Sequence, residues 1–240
     1  SKSLSKNIIS HQFRMYEPAL IGMIGSEFSL QNILISHGSH VLSQNSTEEI
    51  AHFNQAKDIL FSYYSTINIA QSPLAMKCLH KYQSNKLNLP YKPIMWGYKL
   101  PSNINKFSNK ISKIKLLHAG TSKQLCLRPY IYETANEYIE GLNILCDNVN
   151  SLSGYELVIK VRPTKDYSVK TLKKLIKTGK NCTIVESGDF VEYLSHSDYL
   201  ISYSSTTIEE ALNYNKPVIL YGYDDEYKYL IDDNEIIYNA

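Results

Sequence analysis

Short apolar runs rich in β-branched residues alternate with longer amphipathic stretches along this chain, and no other feature constrains its fold as much. Such alternation is typical of βαβ units, in which helices join parallel strands. The runs predict strands over residues 32–36, 59–64, 66–70, 114–119, 155–161, 182–185, 198–203 and 218–221. The stretches between them predict helices over residues 16–28, 47–58, 132–148, 168–178, 190–196 and 208–214, with another starting at Ser72-Pro73. The sequence therefore predicts an α/β fold with parallel sheets.

The segment 85–112 is rich in Pro, Asn, Ser and Lys and has no sustained hydrophobic period, which is typical of a linker. A chain of 240 residues has room for one large domain or two small ones. We therefore expect two domains. Residues 1–100 form part of an N-terminal domain plus the linker, and residues 101–240 form a nucleotide-binding-like C-terminal domain.

Composition excludes several classes of function. The 25 Lys and Arg residues nearly balance 23 Asp and Glu residues, and a net charge of +2 does not favour binding to nucleic acid. The four cysteines form no CxxC pair, so we expect free thiols in a reducing cytoplasm rather than a zinc or redox site. No apolar run approaches the roughly 20 residues that span a bilayer, and the polar start SKSLSKN resembles neither a signal peptide nor an anchor.

Ligands of open parallel sheets bind at the carboxyl ends of strands, and four polar clusters fall at predicted strand ends. They are His37-Gly38-Ser39-His40, Gly120-Thr121-Ser122, Arg162-Pro163 and the run Ser204-Ser205-Thr206-Thr207. The last cluster precedes a helix, where hydroxyls and backbone N–H groups predict a phosphate site. The alternative is a plain capping box, with Thr206 as the N-cap and Glu209 three residues later, which needs no ligand.

The other clusters carry weaker signals. Gly120 fits a tight turn or the close approach of a ligand. Arg162 is able to hold a phosphate through its planar guanidinium, or it is a solvated strand-end residue like Lys160.

The histidines also leave two interpretations open. His37 titrates near neutrality and suits an acid/base role, or it is a structural histidine of its loop. The spacing of His37 and His40 does not match a helical HExxH site, so no metal is expected. His118 lies inside a predicted strand and is expected in the core.

The succession ILISHGSH, KIKLLHAGT, ELVIKVRP and DYLISYSSTTIEEALNYNKPVILYG resembles the GT-B fold glycosyltransferases of bacterial surface-polysaccharide synthesis. The resemblance covers most of the chain. It implies two Rossmann-like domains with parallel sheets, of which the C-terminal one holds the nucleotide donor. The N-terminal domain is expected to be incomplete in this chain, because few βα units precede the HG strand.

Within that superfamily, cytidine-nucleotide enzymes such as bacterial sialyltransferases, capsule Kdo transferases and CDP-glycerol polymerases are similar in carrying an HP and an SS motif. Here Arg162-Pro163 takes the HP position, with Arg in place of His, and Ser204-Ser205 takes the SS position. Glu209 resembles the carboxylate that many of these enzymes use toward donor hydroxyls. His37-Gly38 is similar to the HG loop of the CDP-glycerol polymerases, where the histidine lies at the reaction centre.

The resemblance and the strand-end clusters together imply His37 as the catalytic residue. The implied donor-binding residues are Gly120, Thr121, Arg162, Pro163, Ser204, Ser205, Thr206, Thr207 and Glu209. Neither a cofactor nor a metal is expected, because the nucleotide-sugar donor is itself a substrate.

The implied activity is transfer of a sugar from a nucleotide donor to a bacterial surface glycan, in lipopolysaccharide or capsule. A CMP-linked donor, carrying Kdo or a sialic-acid-like sugar, is favoured over a UDP-linked one. The alternatives are a CDP-glycerol or CDP-ribitol phosphotransferase, a UDP-sugar 2-epimerase, and a non-catalytic nucleotide-sugar-binding domain of a larger protein. The expected partners are the donor, a glycan or lipid-linked glycan acceptor and the partner domains of a longer chain. The expected location is the cytoplasm, including peripheral association with the inner face of the bacterial membrane.

Overall fold

The computed structural model describes residues 6–36, 49–50, 53–54, 56–85, 92–95, 113–120, 134–162, 168–202, 205–221 and 237–239. The chain divides into two compact units, Ser1–Tyr98 and Lys99–Ala240.

The described residues of the first unit include a parallel sheet and two helices of 12 and 13 residues. Its elements are β1 (Asn7–Ser10), α1 (Tyr16–Glu27), β2 (Gln31–Ile35), β3 (Ile67–Ala70), α2 (Pro73–Asn85) and β4 (Lys92–Met95). The described strands pair in the order β1-β2-β3-β4, and every pair is parallel. Helix α2 begins as predicted, because the Ser72 hydroxyl accepts a hydrogen bond from the Ala75 N–H at 3.1 Å.

Two predictions for this unit are wrong. The strand predicted over residues 59–64 is a turn that makes only an isolated bridge between Lys57 and Phe61. Leu60 and Phe61 are fully buried in an apolar cluster with α2, so the apolar run reflects burial rather than a strand. Strand β4 lies inside the predicted linker. β4 lies at one end of the sheet that the described strands form, where a proline such as Pro93, which lacks an N–H donor, is tolerated. Because proline is rare in strands, this segment does not indicate a strand from its sequence.

Helix α1 packs on the sheet through glycines. Gly22 and Gly25 are buried, and a Cβ at Gly22 would lie 2.7 Å from the Phe13 ring. The Asn32 amide on β2 donates to the Gly22 carbonyl at 2.8 Å and to the Tyr64 carbonyl at 2.7 Å. The small residues let the helix approach closely, and the buried amide fixes it there.

The second unit contains a longer parallel sheet. Its elements are β5 (Ile114–Gly120), α3 (Ala135–Ser151), β6 (Tyr155–Val161), α4 (Val169–Leu175), β7 (Cys182–Val185), α5 (Phe190–Ser195), β8 (Tyr199–Ser202), α6 (Thr207–Asn213), β9 (Val218–Leu220) and β10 (Ile237–Asn239). The strand order is β10-β9-β8-β5-β6-β7. All five pairings between these described strands are parallel.

The core of this unit joins one face of the sheet to α3 and α4, through residues such as Leu142, Leu157, Ile159 and Leu172. Helix α3 begins three residues later than predicted. Thr134 and Glu137 form a capping box there, in which the Thr134 hydroxyl accepts from the Glu137 N–H.

Candidate functional site

The strand order of the second sheet reverses direction between β5 and β8. From β5 the chain builds outward through β6 to β7, then returns to β8 on the opposite side of β5. β5 and β8 pair directly, with His118 opposite Ile201. In open α/β sheets the crevice outside the carboxyl ends of two such strands is where ligands bind.

Hydrogen bonds hold the carboxyl ends of β5, β8 and β9 together. The buried Ser202 hydroxyl at the end of β8 donates to the Ala119 carbonyl on β5 at 3.0 Å. The Tyr221 N–H, just after β9, donates to the Ser202 carbonyl at 3.1 Å. The Tyr221 hydroxyl donates to the Gly141 carbonyl on α3 at 2.8 Å. These hydrogen bonds fix the ends of β5, β8 and β9 relative to one another, and we call this edge of the sheet the platform.

Two predicted donor-binding residues lie on neighbouring strands of this platform. Gly120 ends β5 directly opposite Val161 on β6, and Arg162 follows Val161. The Arg162 side chain is exposed. The register therefore brings Gly120 and Arg162 to the same edge, beside the segment that follows β8.

The hydroxyl run after β8 differs from the predicted capping box. Thr206 has helical backbone angles, and its side chain makes no capping hydrogen bond. Instead the Ser205 hydroxyl accepts from the Thr207 N–H at 3.3 Å, and the Ser205 carbonyl accepts from the Ile208 N–H at 3.1 Å. Thr206 is therefore the N-cap residue, as the capping-box alternative expects, but its side chain does not cap the helix, and the Ser205 hydroxyl makes the side-chain hydrogen bond of this turn instead.

The Thr207 hydroxyl oxygen is buried and has no hydrogen-bond partner among the described residues. Buried hydroxyls nearly always have a partner, so this group stands out as one that a ligand would satisfy. Thr207 starts α6 at the carboxyl end of β8, at the strand junction.

Two adjacent carboxylates follow on α6. Glu209 is only 6% exposed, whereas Glu210 is partly exposed. Burial raises the pKa of the Glu210 carboxyl, and the negative charges of Asp189 and Glu209 raise it further. Glu210 is therefore the more accessible of the two and holds its proton more strongly than an ordinary glutamate. The resemblance of the sequence implies Glu209 rather than Glu210, since the motif alone does not show which of two adjacent acids turns inward.

His118 belongs to the core, as predicted. It is 3% exposed on β5, and its ring centroid lies 6.2 Å from that of Tyr138 on α3. Burial lowers its pKa from 6.5 to about 4, so the imidazole is neutral at physiological pH. Its Nδ1 atom has no hydrogen-bond partner within the described part of the chain.

Lys160 is a polar residue of this edge that the sequence interpretation placed in solvent. The structure buries it on β6, where its ammonium donates to the Glu186 carbonyl at 2.5 Å and lies 5.9 Å from the Tyr193 ring centroid. The burial of Lys160 follows from the position of β6 inside the sheet, not from the residues next to it in the sequence. A strand in the middle of a parallel sheet is covered on both faces, so its polar positions are buried too.

Four predicted site residues, His37, Thr121, Pro163 and Ser204, lie outside the described residues. In the part that is described, no group of three or more His, Cys, Asp or Glu side chains is arranged to hold a metal ion. That part also contains no helix long and apolar enough to cross a membrane.

No protein-family model and no curated protein sequence matches this chain. Solved structures do. The GtfA/B complex matches with a TM-score of 0.57 at 12% identity, over 97% of this chain and 45% of that chain. The UDP-GlcNAc 2-epimerase of Neisseria meningitidis bound to UDP-GlcNAc matches with a TM-score of 0.54 at 15% identity, over 90% and 59%. S. aureus MnaA with UDP matches with a TM-score of 0.54 at 15% identity, over 89% and 57%.

These similarities show the fold. The predicted α/β class, with GT-B-like, Rossmann-like parallel sheets, is confirmed. The chain spans about half the length of the solved structures it matches, between 45% and 59% of the three named above.

Proposed function

We propose that this chain binds a nucleotide-linked sugar at the β5–β8 junction and takes part in transferring that sugar to a bacterial surface glycan. One observation carries the proposal. The strand order reverses where Gly120, Arg162 and the segment Ser205–Thr207 come to one edge of the second sheet. Backbone N–H groups, hydroxyls and a guanidinium are the groups that bind phosphate in proteins.

Each group has a defined task in this proposal. The Thr207 hydroxyl donates to a phosphate oxygen of the donor, and Arg162 offsets the charge that develops on the leaving phosphate. Glu210 accepts hydrogen bonds from sugar hydroxyls, in place of the predicted Glu209. His37 stays the predicted acid/base residue, on the resemblance of its HG loop.

The choice of nucleotide rests on two opposing arguments. The Arg162-Pro163 and Ser204-Ser205 motifs favour a cytidine nucleotide, but Arg162 stands where those enzymes carry histidine. S. aureus MnaA was solved with UDP, and the N. meningitidis epimerase with UDP-GlcNAc. These matches extend over about nine-tenths of this chain, whereas the motifs involve four residues, so we favour a UDP-linked sugar over the CMP-linked one.

A second candidate function is UDP-sugar 2-epimerisation. It is supported by the similarity to the epimerase of N. meningitidis and to a Listeria monocytogenes protein described as a UDP-GlcNAc 2-epimerase. The products separate the two activities. An epimerase interconverts two UDP-sugars without an acceptor, whereas a transferase releases free nucleotide only as the sugar moves.

Isothermal titration calorimetry with UDP, CDP, CMP and GDP tests the proposal, alongside the variant Thr207→Val. We expect UDP to bind most tightly. Removing a hydrogen bond to a charged phosphate should weaken UDP about 10-fold to 100-fold. Because the Thr207 hydroxyl has no partner among the described residues, the variant should keep the wild-type melting temperature.

Thr183→Val is the matched control, because Thr183 is exposed on β7, at the end of the same sheet and two strands away from β5, and the variant should leave UDP affinity unchanged. Tighter binding of CMP than of UDP would restore the cytidine assignment. Failure of every nucleotide to bind, or unchanged affinity in Thr207→Val, would refute the site.

A further inference from the structure

Lys160 is a buried cation inside the second sheet. It lies on β6 and is only 9% exposed. Within the described part of the chain, its ammonium forms no ion pair with a carboxylate. Burying a charge without a counter-charge lowers the stability of a protein. The packing of the core therefore does not explain why a lysine occupies this position.

The contacts of Lys160 lead to a short segment that follows β7, residues 186–189. The ammonium donates to the Glu186 carbonyl at 2.5 Å and lies 5.9 Å from the centroid of the Tyr193 ring on α5. That ring also packs against the segment, because a Cβ at Gly188 would lie 2.8 Å from its Cε2 atom. All four residues of the segment are exposed. Lys160 is thus a buried residue that holds a piece of the surface.

The 186–189 segment is fixed at its other end as well. Gly188 has a φ of 86°, a conformation that residues with a side chain rarely adopt, so the chain turns sharply there. The Asp189 carboxylate then accepts a hydrogen bond from the Val191 N–H at 3.3 Å and caps helix α5. The first and last residues of the segment therefore both have a defined place.

The segment lies at the same edge of the sheet as the platform. Since β7 is parallel to β6 and β5, residue 186 follows a carboxyl end, as Arg162 does on β6. The segment also approaches α6, because the negative charge of Asp189 raises the pKa of the Glu210 carboxyl. Lys160 therefore fixes a segment that comes near the carboxylate to which we assign the sugar hydroxyls.

We propose that Lys160 is a positioning residue for the nucleotide-sugar site. It holds residues 186–189 at the carboxyl edge of the sheet, where the segment lines the side of the site next to Glu210 and keeps Asp189 in place beside it. Lys160 itself acts through the segment and not by touching the ligand. This role rests on the proposed function, since it concerns the same site.

The charges of the segment indicate which part of the ligand it contacts. Its two charged residues, Glu186 and Asp189, are both acidic. Carboxylates repel phosphate groups but accept hydrogen bonds from hydroxyl groups. The segment therefore suits the sugar, whereas Arg162 and Thr207 suit the phosphates. Releasing the segment should weaken the binding of the sugar and change the binding of the nucleotide little.

Isothermal titration calorimetry of Lys160→Met with UDP and UDP-GlcNAc tests this role. The variant keeps most of the length of the side chain and removes its charge. We expect the affinity for UDP-GlcNAc, relative to that for UDP, to fall about 10-fold, because hydrogen bonds to sugar hydroxyls are lost. The melting temperature should not fall, since a buried charge is removed and the exposed residue Glu186 leaves its carbonyl open to water. A merely structural lysine predicts the reverse, a lower melting temperature with an unchanged affinity ratio.

Two further variants separate the segment from the lysine. Gly188→Ala moves the segment while Lys160 stays in place, because the new Cβ meets the Tyr193 ring, and it should lower the same ratio. Lys160→Arg keeps a charged donor and should recover part of the ratio. The matched control is Lys115→Met, an exposed lysine at the opposite end of the neighbouring strand β5, which should change neither the ratio nor the melting temperature.

The outcomes distinguish this role from the proposed function. If both ligands bind the wild type and Lys160→Met leaves their affinity ratio unchanged, the positioning role is overturned while the nucleotide site stands. An equal loss of both ligands together with a lower melting temperature would overturn it too. If neither ligand binds the wild type, the proposed function itself is refuted, and the role of Lys160 with it.

Discussion

Replacing His118 by leucine should remove a pH dependence from the stability of the second unit. The buried imidazole has its pKa lowered from 6.5 to about 4, so the folded state excludes a proton that the unfolded state accepts. The stability that follows from this difference is fully present above about pH 6.5 and is lost as the pH falls toward 4. Leucine does not titrate, so His118→Leu lacks this loss.

The magnitude follows from the shift of the pKa. Relative to neutral pH, protonation of the unfolded state should lower the free energy of unfolding by about 1 kcal/mol at pH 5.5 and by about 2 kcal/mol at pH 4.5. Near pH 7.5 the variant should be at least as stable as the wild type, because it also removes a buried Nδ1 atom without a partner among the described residues.

The assay is urea unfolding read by labelling of Cys146 with a disulfide reagent that reacts at acid pH. Cys146 is fully buried in the second unit, so its labelling reports the opening of that unit. Ile159→Val is the matched control. Ile159 pairs with His118 across the sheet, and the variant should lose about 0.5–1.5 kcal/mol equally at every pH. Equal pH dependence in wild type and His118→Leu would refute the reasoning.

Three further predictions concern other residues. Gly25→Ala places a Cβ against the Asn32 amide oxygen and Ile8, and thermal unfolding should show a loss of about 1–3 kcal/mol in the first unit. Glu210→Gln should raise the melting temperature at pH 7, because the raised pKa of the carboxyl makes ionised Glu210 destabilising. This gain in melting temperature should vanish below about pH 4, where the carboxyl is protonated in both the folded and the unfolded state. The same variant should lower the affinity for the nucleotide-sugar. His37→Ala should lower turnover at least about 10²-fold with little change in donor binding. An unchanged melting temperature in either of the first two variants, or unchanged turnover in the third, would contradict the reasoning.

The regular part of the fold could be predicted because buried parallel strands have strong sequence patterns. The run 155–161 coincides with β6 and the run 114–119 matches β5 to within one residue, and both strands lie inside the sheet, where apolar residues are required on both faces. The run 182–185 coincides with the end strand β7 because Thr183, Ile184 and Val185 are β-branched. Strands at the edge of a sheet do not need apolar residues on both faces. β1, β4 and β10 are short, and each lies at one end of its described sheet, so their sequences did not indicate strands.

The candidate site was predictable in its location but not in its details. Strand ends and hydroxyls mark the edge where Arg162 and Ser205 lie. The hydroxyl that accepts a hydrogen bond in this turn is that of Ser205 rather than that of the N-cap residue Thr206, and a run of adjacent hydroxyl residues does not reveal which one it is. The burial of Lys160 depends on where β6 lies in the sheet, which is a long-range property.

The central claim is that a nucleotide-sugar binds at the junction of β5 and β8, and hydrogen exchange with and without UDP tests it most directly. We predict that saturating UDP slows amide exchange at the end of β5 and in the segment from Ser205 to Glu210. Exchange in the last part of α3, where Asn150 lies beside the start of β7, should stay unchanged. If UDP binds and leaves both of these segments at their free rates, the nucleotide site lies elsewhere and the account is contradicted.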